Sequence, residues 1–172
     1  VGSPVCRTVI REHVQGARAV LNAEPGRISG NVVNERKGSY RIDFEVHGVA
    51  AHAGINPAQG ASAIDALARK TLALHALTGC QPGVTLNVGM VQGGMASNVV
   101  APLASAHLDL RFTADNDVND VLARIRAIIE EESLPRTSGR IVAQTGSLPM
   151  ARTPDDLLHT YQRCAQQVGF AV

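Results

Sequence analysis

With 172 residues and a formal charge of +1, the chain suits one domain, or one domain with pieces of a neighbour, and can bury a core without disulfides. It has no basic block, no tryptophan and only 3% aromatics, which excludes an electrostatic nucleic-acid footprint and a base-stacking platform. No apolar run is long enough to span a bilayer, so neither nucleic acid nor membrane is an expected partner. Cys6, Cys80 and Cys164 are odd in number and far apart. They form no zinc-ligand pair and no disulfide framework, and are expected reduced and buried. The first residues are not a signal peptide, which points to the cytoplasm. Val1 is not a normal start, so export of the parent protein stays open.

The N-terminal third is irregular. Thr8 to Val14 suits a short helix, and the apolar run from Ala17 to Asn22 suits a short buried strand ending at Glu24-Pro25. A polar, glycine-containing stretch to Lys37-Gly38 follows as a linker. Tyr40, Ile42, Phe44 and Val46 then alternate with Arg41, Asp43, Glu45 and His47, the period-two pattern of a strand with one buried face. Asn56-Pro57 offers an N-cap and a first-turn proline. The stripe Ile64, Leu67, Thr71, Leu74, Leu77 predicts a helix from Pro57 to Leu77, closed by Gly79. Val84 to Met90 alternates again, Gly93-Gly94 turns the chain, and Ala106 to Phe112 gives a third strand. Asp115 or Asn116 caps a second helix with the stripe Val118, Val121, Leu122, Ile125 and Ile129. The run Glu130 to Glu132 ends that helix as a solvated face. Ile141 to Thr145 is a fourth, shorter strand.

The order β-α-β-β-α-β is the ferredoxin-like pattern: an α+β sandwich whose four-stranded antiparallel sheet carries two helices on one face. Thr153-Pro154-Asp155-Asp156 starts one more helix, with an apolar face of Leu157, Leu158, Tyr161, Cys164, Ala165 and Val168. The expected organisation is a ferredoxin-like unit over 38–146, flanked by stubs of another domain at 1–37 and 147–172.

Two glycine-bearing corners stand out. Residues 48–57, GVAAHAGINP, put His52 between a strand and a helix, and residues 93–102, GGMASNVVAP, carry Asn98. Arg111 lies near the end of the strand that follows. A histidine, an asparagine and an arginine on exposed corners of one sheet form a set suited to an oxyanion or a carboxylate. Each also has a plainer explanation. His52 can be a surface residue, Asn98 can serve a left-handed turn, and Arg111 can pair with Asp109. His107 and Asp109 share the face of Arg111 and set its electrostatics.

These segments resemble the two-zinc exopeptidase and deacylase family, which includes glutamate carboxypeptidase, acetylornithine deacetylase, succinyl-diaminopimelate desuccinylase and aminoacylase. GSPVCR (residues 2–7), AVLNAEP (19–25), GVAAHAG, GGMASNVVAP and LDLRF occur in the order and spacing that family shows. The resemblance covers nearly the whole chain. It implies a dimerisation domain inserted in a zinc-binding catalytic domain, and a homodimer acting on a small peptide or N-acyl amino acid next to a free carboxylate. It implies that His52 stabilises the oxyanion in the partner's site, that Asn98 and Arg111 hold the substrate's carboxylate end, and that Glu24 is a metal ligand. The family's His-x-Asp motif, bridging aspartate, Glu-Glu pair and final ligand histidine have no counterpart here. The chain thus looks like the middle of such an enzyme. Two zinc ions are expected per site of the parent, and none, with no activity, in this chain alone. The alternative is a non-catalytic dimerisation or regulatory ferredoxin-like module.

Overall fold

The computed structural model describes residues 4–22, 30–152 and 156–170. They run in the order α1 (Pro4–His13), β1 (Gly38–His47), β2 (Ala51–His52), a single 3-10 turn (Pro57–Gln59), α2 (Ala63–Ala76), β3 (Thr85–Gly93), β4 (Val99–Val100), β5 (Leu103–Phe112), α3 (Val118–Glu130), β6 (Ser138–Ser147) and α4 (Asp156–Gln167). The chain divides into two units: residues 35–152, and residues 1–34 with 153–172.

In the 35–152 unit the strands form an antiparallel sheet in the order β3-β5-β1-β6, and β2 pairs with β4 as a separate two-stranded ribbon. The sequence β1-α2-β3-β5-α3-β6 is the expected ferredoxin-like order, and α2 and α3 cover one face. Alternation decides which face. Ile42, Phe44 and Val46 of β1 and Ala104, Ala106, Leu108, Leu110 and Phe112 of β5 are buried beneath Ala66, Leu67 and Leu74 of α2 and Val121, Ile125 and Ile129 of α3. Each large aliphatic or aromatic side chain so buried contributes about 1.5–3 kcal/mol. The residues between them, Arg41, Asp43, Glu45, His107, Asp109 and Arg111, occupy the open face.

Several boundaries differ from expectation. The long helix begins at Ala63 rather than Pro57. Ala61 bridges to Val49, with N···O distances of 2.8 and 2.9 Å in the two directions. That pairing draws the chain into extended conformation at Gly60 and leaves Asn56-Pro57 to open only a 3-10 turn. Ser62 is the N-cap, its side chain accepting from Asp65 N at 3.2 Å. Ile64 is exposed, and the buried face of α2 is Ala63, Ala66, Leu67, Lys70 and Leu74. The N-cap of α3 is Asp117, not Asp115 or Asn116. Asn116 turns back instead, its Oδ1 accepting from Thr113 N (2.7 Å) and Thr113 Oγ1 (3.0 Å). The last strand is ten residues long rather than short, because β1 offers it a ladder partner from Ser39 to His47.

Lys70 was not expected inside. It is 1% exposed between α2 and the end of α3, and Nζ donates to Ile128 O (3.0 Å) and Glu131 O (2.5 Å). These carbonyls end a helix and lack intrahelical partners, so the ammonium caps the negative end of α3. Burial holds the Lys70 pKa below the usual lysine value, and the Glu131 carboxylate works in the opposite direction.

In the other unit, α1 starts earlier than the expected Thr8. Residues 17–22 are exposed and irregular rather than a buried strand. A strand needs a neighbour to satisfy its backbone groups, and among the described residues none flanks this run. In α4 only Ala165 is buried, and Tyr161 Oη donates to Gly30 O at 2.8 Å. The proposed helix start at Thr153, Pro154 and Asp155 lies outside the described residues. The three cysteines are free, but all are exposed rather than buried.

Candidate functional site

His52 and Asn98 meet on the small ribbon. Ala51 pairs with Val100 and His52 with Val99, and Ala53 N donates to Asn98 O at 2.9 Å. The two corners are therefore one structure, built by main-chain hydrogen bonds at the end of the sheet where β1 finishes and β5 begins. Two close approaches hold it there. A Cβ on Gly48 would collide with Ala61 O, and one on Gly60 would lie 2.8 Å from Val100.

Within the corner, Gly54 N–H donates to His52 Nδ1 at 3.1 Å. A backbone N–H only donates, so Nδ1 is the unprotonated nitrogen and the neutral ring carries its proton on Nε2. The exposed imidazole is thereby set as a hydrogen-bond donor. Asn98 is also exposed, and its backbone is not left-handed, so a left-handed turn is not what places asparagine there.

Arg111 is elsewhere. It pairs with Ser39 on β1 and Thr85 on β3, at the opposite end of the sheet from Leu103, which pairs with His47. Eight residues of strand, at ~3.3 Å each, put the two ends roughly 25 Å apart. Arg111 lies in a strand rather than on a corner. Its Nε donates to Asp109 Oδ2 at 2.8 Å. Its terminal amino groups make no other hydrogen bond among the described residues, which leaves them available to a carboxylate. One copy of this unit cannot bring His52, Asn98 and Arg111 together.

Between the two ends the open face is a lattice of ion pairs. His107 Nδ1 lies 2.6 Å from Asp43 Oδ1, and Arg41 Nε donates to the same oxygen at 2.9 Å. The His107 hydrogen bond, aided by Arg41, holds the Asp43 carboxyl below its usual pKa against the opposing effect of burial. Arg140 and, less strongly, His47 depress Glu45 in the same way. An open hollow lined by Arg41, Asn87, Met90, His107 and Asp109 lies over this lattice.

Glu24 lies outside the described residues. Among the described residues no three His, Cys, Asp or Glu side chains converge as a metal site. The described residues therefore do not fit a dinuclear zinc centre.

The model of the peptidase dimerisation domain matches residues 34–137. The chain belongs to the M20 peptidase dimerisation-domain family. It is 41% identical over 76 residues to a p-aminobenzoyl-glutamate hydrolase subunit of Escherichia coli K12, covering 44% of this chain and 17% of that protein. To indole-3-acetyl-aspartic acid hydrolase of Enterobacter agglomerans it is 37% identical over 90 residues, 52% of this chain and 21% of the relative. The chain thus spans about a fifth of the length of these relatives. A tripeptidase of Staphylococcus aureus shares the fold, with a TM-score of 0.69 at 20% identity over 81% of this chain and 37% of that one.

Arg136 and Lys70 make long-range contacts that the sequence does not signal plainly. Arg136 bonds to residues 76 to 78 positions away, and no local pattern marks such a pairing. Lys70 sits on the apolar face of a helical stripe, and that position was the available signal.

Proposed function

We propose that the chain is the dimer-forming part of a hydrolase that cleaves an amide or peptide bond next to a free carboxylate. The observation that carries this reading is the hydrogen bond from Gly54 N–H to His52 Nδ1, which presents Nε2–H outward from a corner shared with Asn98. A neutral imidazole held as a donor suits an oxyanion that develops when the scissile carbonyl is attacked. Donors of this kind contribute ~10²–10³ in rate. Two relatives are named for hydrolysing an acyl-glutamate and an acyl-aspartate. A guanidinium with free terminal amino groups suits the carboxylate end of such substrates. The two zinc ions implied by the resemblance would be held by other segments of a longer protein, with Glu24 among their ligands.

The separation of Arg111 from the His52 corner supports a composite site. In a two-fold dimer, His52 and Asn98 of one subunit would face the site that Arg111 of the other subunit lines. The sheet edges support the dimer. On the β3 side, Ile64 and Leu72 of α2 and Val91 of β3 are exposed apolar side chains, and Met90 is exposed on the open face of the same edge strand. Part of that edge is already covered: Thr78 Oγ1 bonds both Leu86 N and Leu86 O at 3.1 Å, and Val88 N donates to His75 Nε2 at 3.3 Å. The edge beyond Val88 is left for pairing. On the other edge, Val142 is the one large exposed apolar side chain of β6.

Sedimentation of the chain at micromolar concentration tests this reading. A dimer is expected, dissociated by Leu72→Asp and not by Val142→Asp. A monomer would remove the dimer and, with it, the role of His52 in trans.

A further inference from the structure

The turn between α3 and β6 holds the one non-glycine residue with left-handed backbone among those described, Arg136, at φ 67°. Arginine adopts that conformation against a steric penalty, and its guanidinium is engaged with backbone carbonyls. Nη1 donates to Gln59 O at 2.9 Å, and Nη2 donates to Ala58 O at 3.0 Å and Gly60 O at 2.6 Å. These carbonyls close the 3-10 turn that follows His52, where helical backbone runs out of internal donors. A planar guanidinium reaches all three at once. The Arg136 N–H donates to Glu132 Oε1 at 2.7 Å, which steadies the turn that carries the clamp.

The clamped segment is the one that shapes His52. Ile55 N and Asn56 N both donate to His52 O, at 3.2 and 3.1 Å. Upstream, the β2–β4 ribbon fixes Ala51 and His52. Residues 52–60 are therefore held at both ends, and Gly54, whose N–H sets the ring tautomer, lies between the anchors.

We propose that Arg136 is the positioning residue of the His52 corner: by binding the carbonyls of residues 58–60 it keeps Gly54 N–H on His52 Nδ1 and so keeps Nε2–H outward. This inference rests on the reading of His52 as the donor to the substrate oxyanion. Arg136 acts only through His52 and touches no reacting atom.

The test compares Arg136→Met and Arg136→Lys with wild type in the full 172-residue chain, by nitrogen NMR of the His52 ring at alkaline pH and by Gly54 amide exchange. Wild type is expected to show Nε2 protonated, Nδ1 bare and a protected Gly54 amide. Both variants should move the ring toward the tautomer mixture of free histidine and speed Gly54 exchange by about tenfold, a local opening that leaves core amides such as Ile42 and Leu108 unchanged. Unchanged His52 and Gly54 signals in Arg136→Met would overturn the proposal. So would a change shared equally by the core amides, which marks a merely structural role. Kinetics of a full-length enzyme carrying this domain separates the two claims. If His52→Ala leaves kcat intact, the catalytic reading of His52 falls while the NMR result stands. If His52→Ala abolishes turnover and Arg136→Met alters neither the ring nor kcat, the clamp alone falls.

Discussion

The two ends of the sheet are built by different means. At the end carrying His52 and Asn98, the geometry is made by main chain: a two-stranded ribbon, a tight glycine contact, a 3-10 turn and a distant arginine closing its carbonyls. At the end carrying Arg111, strand register sets the position and one side-chain ion pair sets the orientation. A corner of the first kind fixes a ring nitrogen and its tautomer. A strand of the second kind offers a charge on a flexible stem. The first suits a donor that must be in place before charge develops, and the second suits a carboxylate that arrives with its own charge.

The largest expected effect tests that division at the corner. In a full-length enzyme carrying this domain, His52→Ala should lower kcat by ~10²–10³ with little change in KM, because the lost bond forms mainly in the transition state. Steady-state kinetics would reveal the opposite pattern, a raised KM with kcat intact, if His52 only bound substrate. At the other end, Arg111→Lys should raise KM by about tenfold and spare kcat, since an ammonium keeps the charge but loses the bidentate fork. Equal losses in kcat at both ends would erase the distinction.

A mixed dimer sharpens it further. Pairing one His52→Ala subunit with one Arg111→Met subunit leaves one site with both groups intact if the two ends of a chain serve different sites. About half of wild-type activity should then survive, as expected for a composite two-fold site. If each chain serves a single site with both groups, every site carries one defect and activity in the mixed dimer stays near that of the single variants.

The smallest expected effect lies between the ends. Asp43 is held below its usual pKa by His107 and Arg41. Its contribution to stability is therefore present above the unfolded carboxyl value of about 3.9 and fades as the pH falls through the lower folded value. Asp43→Asn should cost about 0.5 kcal/mol at pH near 6, the scale of a partly exposed pair. Urea unfolding near pH 3 should show a smaller difference. A difference that grows on acidification would reverse the sign and break the account of the lattice.

Much of the fold was legible in the sequence because period-two and helical patterning are local signals. The alternation from Tyr40 to Val46 and from Ala106 to Phe112 specifies which face is buried before any neighbour is known. The helix starts were less legible. Asn56-Pro57 carries a genuine start signal, yet the bridge from Ala61 to Val49 draws the chain out of helix until Ser62. The apolar run at residues 17–22 has strand composition but no ladder partner among the described residues, and composition alone does not supply one. For the candidate site, the glycine corners disclosed that His52 and Asn98 lie at exposed turns, while their joining through Ala53 and Asn98 is a contact across 45 residues.

By itself the sequence determined the ferredoxin-like order of elements, the polar character of the open face and the family, since these follow from short-range patterning and motif spacing. Only the tertiary structure decided that His52 and Asn98 share one corner, that Arg111 stands at the far end, that Lys70 caps a helix from inside the core, and that Arg136 closes the turn after His52. The place of Arg111 follows from strand register, and the others depend on which distant backbone groups are left without partners once the sheet has formed. Such groups are satisfied by whatever donor the fold brings within reach, and no local stretch of sequence records that proximity.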